Sequence, residues 1–420
     1  IKRRSKKMVG ASTLCCDRRS MNVRLPSTPF VLLDDARAGS IKPARLYRDA
    51  REIVCADRLE DVVPALERLR SARTSGLHAA GYIAYEAGYA LEPRLAALEP
   101  CGQADGAPLL WFGLFECDEE IAREDIPNLF PGMTHPIDSG VLEPLIARAD
   151  YDVAFHGVQE KIRAGDIYQV NLTFPCHVGI GDDPAAFYGA VRSRAAAGHG
   201  ALLFTGEHWL ISFSPELFFM LEDGLLSTRP MKGTALRDDD PARDAANAEA
   251  LRADPTQRAE NLMIVDLLRN DLSRVSVPGS VNVPELFTIE SYPTVHQMTS
   301  TVTAHLCDGL DVVDAIKALF PCGSITGAPK IRAMEIIYET ERQPRGPYTG
   351  SIGVIDAKGD ACFNVAIRTV CVEKGATQGV IGLGSGLVAD SQADSEWNEC
   401  LDKGRFLGTV SEPVTGQPKA

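Results

Sequence analysis

Residues 214–234 read SPELFFMLEDGLLSTRPMKGT. Two apolar runs, Phe218–Leu221 and Leu225–Leu226, flank Glu222, Asp223 and Gly224. Asp-Gly favours a two-residue hairpin loop, because that turn needs positive φ at both central residues. In this register Glu222 faces Leu225, and continuing the pairing sets Glu216 opposite Met231 and so beside Lys232. A carboxyl group and an amine at the open end of one hairpin can divide proton donation and nucleophilic attack between them. A salt bridge at a sheet edge accounts for the same proximity. Pro230 and Gly233, on either side of Lys232, point to a specialised backbone.

Working outward, Ala201–Phe204 and Trp209–Phe213 form a second strand pair around Gly206. Upstream, Ile167, Gln169, Asn171 and Thr173 alternate with Tyr168, Val170, Leu172 and Phe174, a strand whose polar face can line a cleft. A helix over Tyr151–Arg163 precedes it. Asp254-Pro255-Thr256-Gln257 carries an N-cap, a first-position proline and a reciprocal capping residue. The run Ala259–Leu268 is apolar on most sides, so this helix is expected to be central and Glu260 nearly buried, in need of a cation or a proton. Phe363, Val365 and Ile367 alternate with Asn364, Ala366 and Arg368 in an expected strand. It projects Arg368 either to clamp a substrate carboxylate or to pair at the core edge.

Glu396 and Glu399 share one helix face, and Lys403 follows four residues later. The glycines of Gly382–Gly386 let backbone and ligand come close. Carboxylates from two distant helices could then hold Mg²⁺, which prefers oxygen ligands.

The whole chain has 420 residues, 45% of them hydrophobic and 24% charged, which excludes a disordered or fibrous protein. Its net charge of −14 excludes a general nucleic-acid surface. The longest tight apolar run, Leu109–Phe115, makes a buried strand and is far too short to span a membrane. Its 11 cysteines are scattered without CxxC spacing, as expected of reduced thiols in the cytoplasm. The basic start lacks the apolar segment of a secretory signal. The expected organisation is a disordered or non-native tail over 1–21, a subdomain over 22–125 packed on the core and a linker over 126–150. A catalytic domain over 151–410 and a tail over 411–420 follow. Val31–Leu33, Ala80–Tyr85 and Leu109–Phe115 would supply a partly independent antiparallel layer.

From about Tyr151 to Gly408 the chain resembles the chorismate-utilising enzyme family, and within it the branch of aminodeoxychorismate synthase component I. The blocks that carry the resemblance are Ile167–Leu172, Ser214-Pro215-Glu216, Thr228–Thr234, Ala259–Leu267, Cys322–Lys330, and Gly384-Ser385-Gly386 through Glu396 and Glu399; Gly81–Glu86 adds to it more diffusely. The resemblance implies an α+β fold, a complex α/β sandwich of two facing antiparallel β-sheets with outer helices, like that of anthranilate synthase component I, with the site in a cleft between the sheets. The implied reaction replaces the C4 hydroxyl of chorismate with ammonia, giving 4-amino-4-deoxychorismate on the route to 4-aminobenzoate and folate.

In that chemistry Lys232 attacks C2 and Glu216 protonates the departing hydroxyl. Glu260 and Glu399 are the implied Mg²⁺ ligands, with Glu396 nearby. Tyr348, Arg368 and Lys403 surround the substrate carboxylates, Gly384, Ser385 and Gly386 bring backbone donors close, and His296 matches an active-site histidine. Gln169 stands where isochorismate and salicylate synthases are expected to carry lysine, and Lys232 where anthranilate synthase component I, the alternative assignment, has a small residue. A glutamine amidotransferase subunit is the implied ammonia source, with a separate aminodeoxychorismate lyase acting downstream. Residues 32–35 depart from the serine-containing pattern of tryptophan-sensitive anthranilate synthases, and no feedback regulation is assigned.

Overall fold

The computed structural model describes residues 24–99, 106–130, 142–292 and 295–408. The expected tails over 1–21 and 411–420 and the middle of the expected linker lie outside them. Among the described residues the strands form two ten-stranded sheets in which all pairing is antiparallel. The first runs in the order Gly327–Ala328, Gln169–Gly179, Gln378–Leu387, Thr369–Glu373, His208–Ser214, His199–Phe204, Phe30–Asp34, Ala44–Arg48, Glu119–Ile121, with Glu143–Pro144 also on Gln169–Gly179. The second runs Met231–Leu236, Val295–His305, Leu225–Arg229, Leu217–Glu222, Ala361–Asn364, Ser351–Ile355, His78–Ile83, Leu110–Phe115, Glu52–Ala56, with Asn282–Ser291 also on Val295–His305. This is the expected α+β sandwich.

Strand alternation builds the two sides of each sheet. Val31, Tyr47, Leu203 and Leu210 of the first sheet join Tyr82, Trp111, Ile352 and Val354 of the second in one buried cluster. Their neighbours Phe30, Leu32, Leu202 and Phe112 belong instead to the larger cluster shared with the helices. Helices Arg148–Arg163 and Ala393–Gly404 lie over strand Gln169–Gly179, where the Phe174 ring stacks on Trp397 at 4.8 Å and meets Tyr151 at 5.7 Å. Burying each such ring contributes roughly 1.5–3 kcal/mol.

Four expectations change. The early strands do not form a layer of their own: Phe30–Asp34 pairs with His199–Phe204, and His78–Ile83 with Ser351–Ile355, so the described strands between Phe30 and Ile121 complete the far ends of both sheets. The strand expected over 363–368 ends at Asn364. Residues 365–368 carry the chain from the second sheet to the first, with Arg368 at φ +51°, a left-handed conformation that breaks the alternation. Helix Pro255–Ser273 is amphipathic rather than central. It buries Asn261, Ile264, Val265, Leu268 and Leu272, while Leu262 is 43% exposed. The Asp254 cap forms, its carboxylate accepting from the backbone N–H groups of Thr256 and Gln257. Gln257 makes no reciprocal bond to Asp254 among the described residues and packs against Gly233 instead.

Arg345 ties distant segments together. Its buried guanidinium pairs with Glu341 at 2.7 Å and donates to the carbonyls of Asn171 and Ile325, while its backbone N–H donates to buried Glu86. Among the described residues no helix is long and apolar enough to cross a membrane.

Candidate functional site

The hairpin begins as its turn requires, with Glu222 opposite Leu225 around Asp223 and Gly224, both at positive φ. A bulge between Leu217 and Met220 then shifts the register, setting Leu217 opposite Arg229, and the extrapolated Glu216–Met231 pairing does not form. Beyond Pro230 the chain leaves its hairpin partner, and Met231–Leu236 pairs only with Val295–His305 among the described strands. Lys232 therefore stands on a strand whose other edge is open.

Glu216 still reaches that segment through its side chain, which accepts hydrogen bonds from the Met231 N–H and the Ser324 hydroxyl. One carboxylate oxygen, Oε1, is buried with no hydrogen-bond partner. Burial pushes the Glu216 carboxyl up to about 7, against the smaller opposing pull of Ser324, the Met231 N–H and the charges of Lys232 and Lys403. The direct partner of Lys232 is Glu260, with Nζ 3.3 Å from Oε2, so Glu216 and Lys232 meet as charges within one site and not as the salt bridge weighed above. Glu260 is only partly buried, its side chain 18% exposed, in line with the amphipathic helix that carries it.

The first sheet supplies the opposite wall. A Cβ at Gly386 would fall 2.7 Å from Lys232 Nζ and 2.8 Å from Gln169 Nε2, so that glycine makes room for both side chains. Gln169 is fully buried, and neither its amide oxygen nor its nitrogen has a partner. Leaving both groups unpaired costs about 1–3 kcal/mol each, and an incoming polar ligand would remove that cost. Ser385 faces the other way, toward Tyr151 and Cys400. Only its backbone is on the side of Gly384 and Gly386.

Helix Ala393–Gly404 closes the site. Lys403 pairs with Glu399 at 2.8 Å, as the four-residue spacing predicts, and donates to the Gly384 carbonyl at 2.8 Å. Burial raises the Glu399 carboxyl, but the ammonium groups of Lys403 and, more weakly, Lys232 outweigh it and hold the carboxyl below its usual range. Glu260 and Glu399 thus both act on Lys232, one in contact and one at longer range. Glu396 lies one turn earlier, half-buried. Among the described residues no three acidic, histidine or cysteine side chains already converge as a metal cluster. The donors themselves are hard oxygens in a setting where cationic charge is already accommodated, the chemistry that Mg²⁺ takes.

Three expected residues stand apart from this group. Arg368 makes no ion pair among the described residues; its guanidinium lies 5.6 Å from the Phe406 ring, and burial lowers its pKa. A half-buried guanidinium without a carboxylate suits an anionic ligand. Tyr348 packs its ring directly on Gly382, where a Cβ would lie 2.0 Å from a ring carbon. His296 has both ring nitrogens engaged, Nδ1 with Ser291 at 2.9 Å and Nε2 with Asp244 at 2.8 Å.

Two residues that matter were not singled out from the sequence. Ser324 bonds Glu216, and Asn261, fully buried beside Glu260, donates to the Lys232 carbonyl at 3.2 Å. The signal for Asn261 was a polar amide on the buried side of an amphipathic helix, where a partner is obligatory.

Comparison with known proteins adds the following. Residues 29–408 match the family model described as chorismate binding enzyme. Aminodeoxychorismate synthase component 1 of Salmonella typhimurium is 46% identical over 261 residues, covering 61% of this chain and 56% of that protein. Its Escherichia coli counterpart is 43% identical over 258 residues, with the same coverage of 61% and 56%. The chain thus spans little more than half the length of these relatives. Anthranilate synthase component 1 of Streptomyces coelicolor is 35% identical over 368 residues, 79% of this chain and 72% of that one. Among solved structures, anthranilate synthase component I from Streptococcus pneumoniae superposes with a TM-score of 0.74 at 24% identity, covering 94% of this chain and 95% of that one. The menaquinone-specific isochorismate synthase of Escherichia coli gives 0.70 at 16% identity, covering 92% and 89%. At these identities the structural likeness is one of fold.

Proposed function

Since this chain belongs to the chorismate-binding enzyme family, among the component I subunits of anthranilate and aminodeoxychorismate synthases, we propose that it replaces the C4 hydroxyl of chorismate with ammonia. The product is 4-amino-4-deoxychorismate, a precursor of 4-aminobenzoate and folate. The observation that carries this reading is an amine, Lys232, in one site with a carboxyl group, Glu216, that burial pushes up to about 7.

Lys232 gives up one ammonium proton to water, to be regained on release, and adds through Nζ to ring carbon C2. The ring double bonds shift, the C4–O bond breaks, and the hydroxyl leaves as water with the Glu216 proton. Ammonia adds at C4, the double bonds shift back and the C2–N bond breaks, releasing Lys232. A proton of the added ammonia returns to Glu216. Gln169 offers its unpartnered amide to the substrate, and Arg368, Lys403 and Tyr348 serve the carboxylates. The backbone of Gly384, Ser385 and Gly386 approaches the ring. Glu260 and Glu399 would hold Mg²⁺, with Glu396 close by. When bound, the ion supplies charge neutralisation for the ring carboxylate. Ammonia comes from a glutamine amidotransferase subunit, and a separate lyase consumes the product, both in the cytoplasm.

The length of the Streptomyces coelicolor match keeps anthranilate synthesis as the second reading. Lys232 favours the first, because the resemblance expects a small residue at that position in anthranilate synthases.

The test is mass-resolved product analysis of the purified chain with chorismate, Mg²⁺ and ammonium, beside Lys232→Ala. The expected result is 4-amino-4-deoxychorismate from the parent and its loss in the variant. Anthranilate as the main product would overturn the assignment.

A further inference from the structure

Lys232 lies where its strand has outrun its hairpin partner, so the backbone there must find hydrogen bonds elsewhere. It finds them in three different groups. The Pro230 carbonyl accepts from the Ser300 N–H at 3.3 Å, the Lys232 carbonyl from Asn261 Nδ2 at 3.2 Å, and the Gly233 carbonyl from Gln297 Nε2 at 2.9 Å. Asn261 is itself held in one orientation, because its Oδ1 accepts from the Ser300 hydroxyl at 2.6 Å, and that hydroxyl in turn accepts from the Phe287 N–H at 3.1 Å. The amide is fully buried, so neither end can exchange its partner for water.

The neighbouring residue completes the arrangement. Glu260 contacts Lys232 Nζ at 3.3 Å while Asn261 holds the carbonyl of the same lysine, so two consecutive helical residues grip both ends of one side chain's residue. Gly233, at φ +103°, lets the chain pass close to Gln257 on the preceding turn of that helix, whose Oε1 would lie 3.1 Å from a Cβ at this position.

We propose that Asn261, oriented by Ser300, is a positioning residue for Lys232: it fixes the lysine backbone so that Nζ meets the reacting ring carbon at the right angle. This rests on the reading of Lys232 as the nucleophile. Asn261 touches no reacting atom, and its loss should slow the lysine step without weakening substrate binding.

The experiment compares chorismate turnover with Mg²⁺ and ammonium in the full chain for the parent, Lys232→Ala, Asn261→Ala, Asn261→Asp and Ser300→Ala, with melting temperatures alongside. Asn261→Ala is expected to lower kcat at least 30-fold with KM within twofold. Asn261→Asp, which still accepts from Ser300 but cannot donate, is expected to lose kcat similarly. Should Asn261→Ala fail to fold, Ser300→Ala decides, with an expected fivefold loss in kcat and KM unchanged. If the Asn261 and Ser300 variants keep kcat within twofold while Lys232→Ala is inactive, the positioning role is overturned and the lysine chemistry stands. If Lys232→Ala turns over like the parent, both fall together.

Discussion

Glu216 enters the site with its carboxyl group raised from 4.5 to about 7 by burial. Below pH 4.5 the group is protonated whether the chain is folded or not. Between 4.5 and 7 the unfolded chain releases the proton that the folded chain keeps, so stability is lost as pH rises, and the loss is complete above the folded value. Its size is on the order of 3 kcal/mol. Glu86 is raised to the same value by the same cause and adds a slope of the same sign. In Glu216→Gln the fall in melting temperature from pH 5 to pH 8 should be about half that of the parent, the remainder belonging to Glu86. The rate should behave in parallel: kcat/KM of the parent falls as pH rises through about 7, and Glu216→Gln loses about 10²–10⁴-fold at pH 6, the usual worth of a general acid. At this scale the four-residue spacing of Glu399 and Lys403 gave their ion pair, whereas Glu216 and Lys232 share one site although the hairpin register argued for them does not form. The sequence was uninformative for Asn261 and Ser324, whose roles depend on which backbone or carboxyl group happens to face them across the fold.

Helix Pro255–Ser273 carries Glu260 and Asn261 and starts about two turns before them at the Asp254 cap. Asp254→Ala should cost about 1 kcal/mol in urea unfolding, because two N–H groups lose their acceptor. Such caps are legible in sequence because donor and acceptor lie within three residues of each other. The Asp223–Gly224 turn was legible for the same reason. What alternation alone could not reveal was a change of sheet: residues 363–368 keep a two-residue rhythm, yet only 361–364 pair within the second sheet and Thr369 begins a strand in the first. The bulge at Leu217 escaped similarly, since an inserted residue leaves the composition of a strand untouched.

In the molecule as a whole, Arg345 is the buried joint between early and late segments, bonding Glu341, Asn171 and Ile325 and seated over the Tyr85 ring at 4.6 Å. Arg345→Ala would strand the buried Glu341 carboxylate and is expected to cost about 3–5 kcal/mol in denaturant unfolding, with an unchanged dependence on denaturant concentration. The sandwich itself was readable through resemblance and not through spacing, because its register is set by partners far apart in the chain. Tyr82 lies opposite Ile352, roughly 270 residues downstream. During synthesis at about 5–20 residues per second, the apolar strand His78–Ile83 can pair early with Leu110–Phe115, but its other edge waits on the order of 15–50 s for Ser351–Ile355. For that interval the nascent chain carries an unmatched strand edge, and any codon change that slows its second half lengthens the exposure.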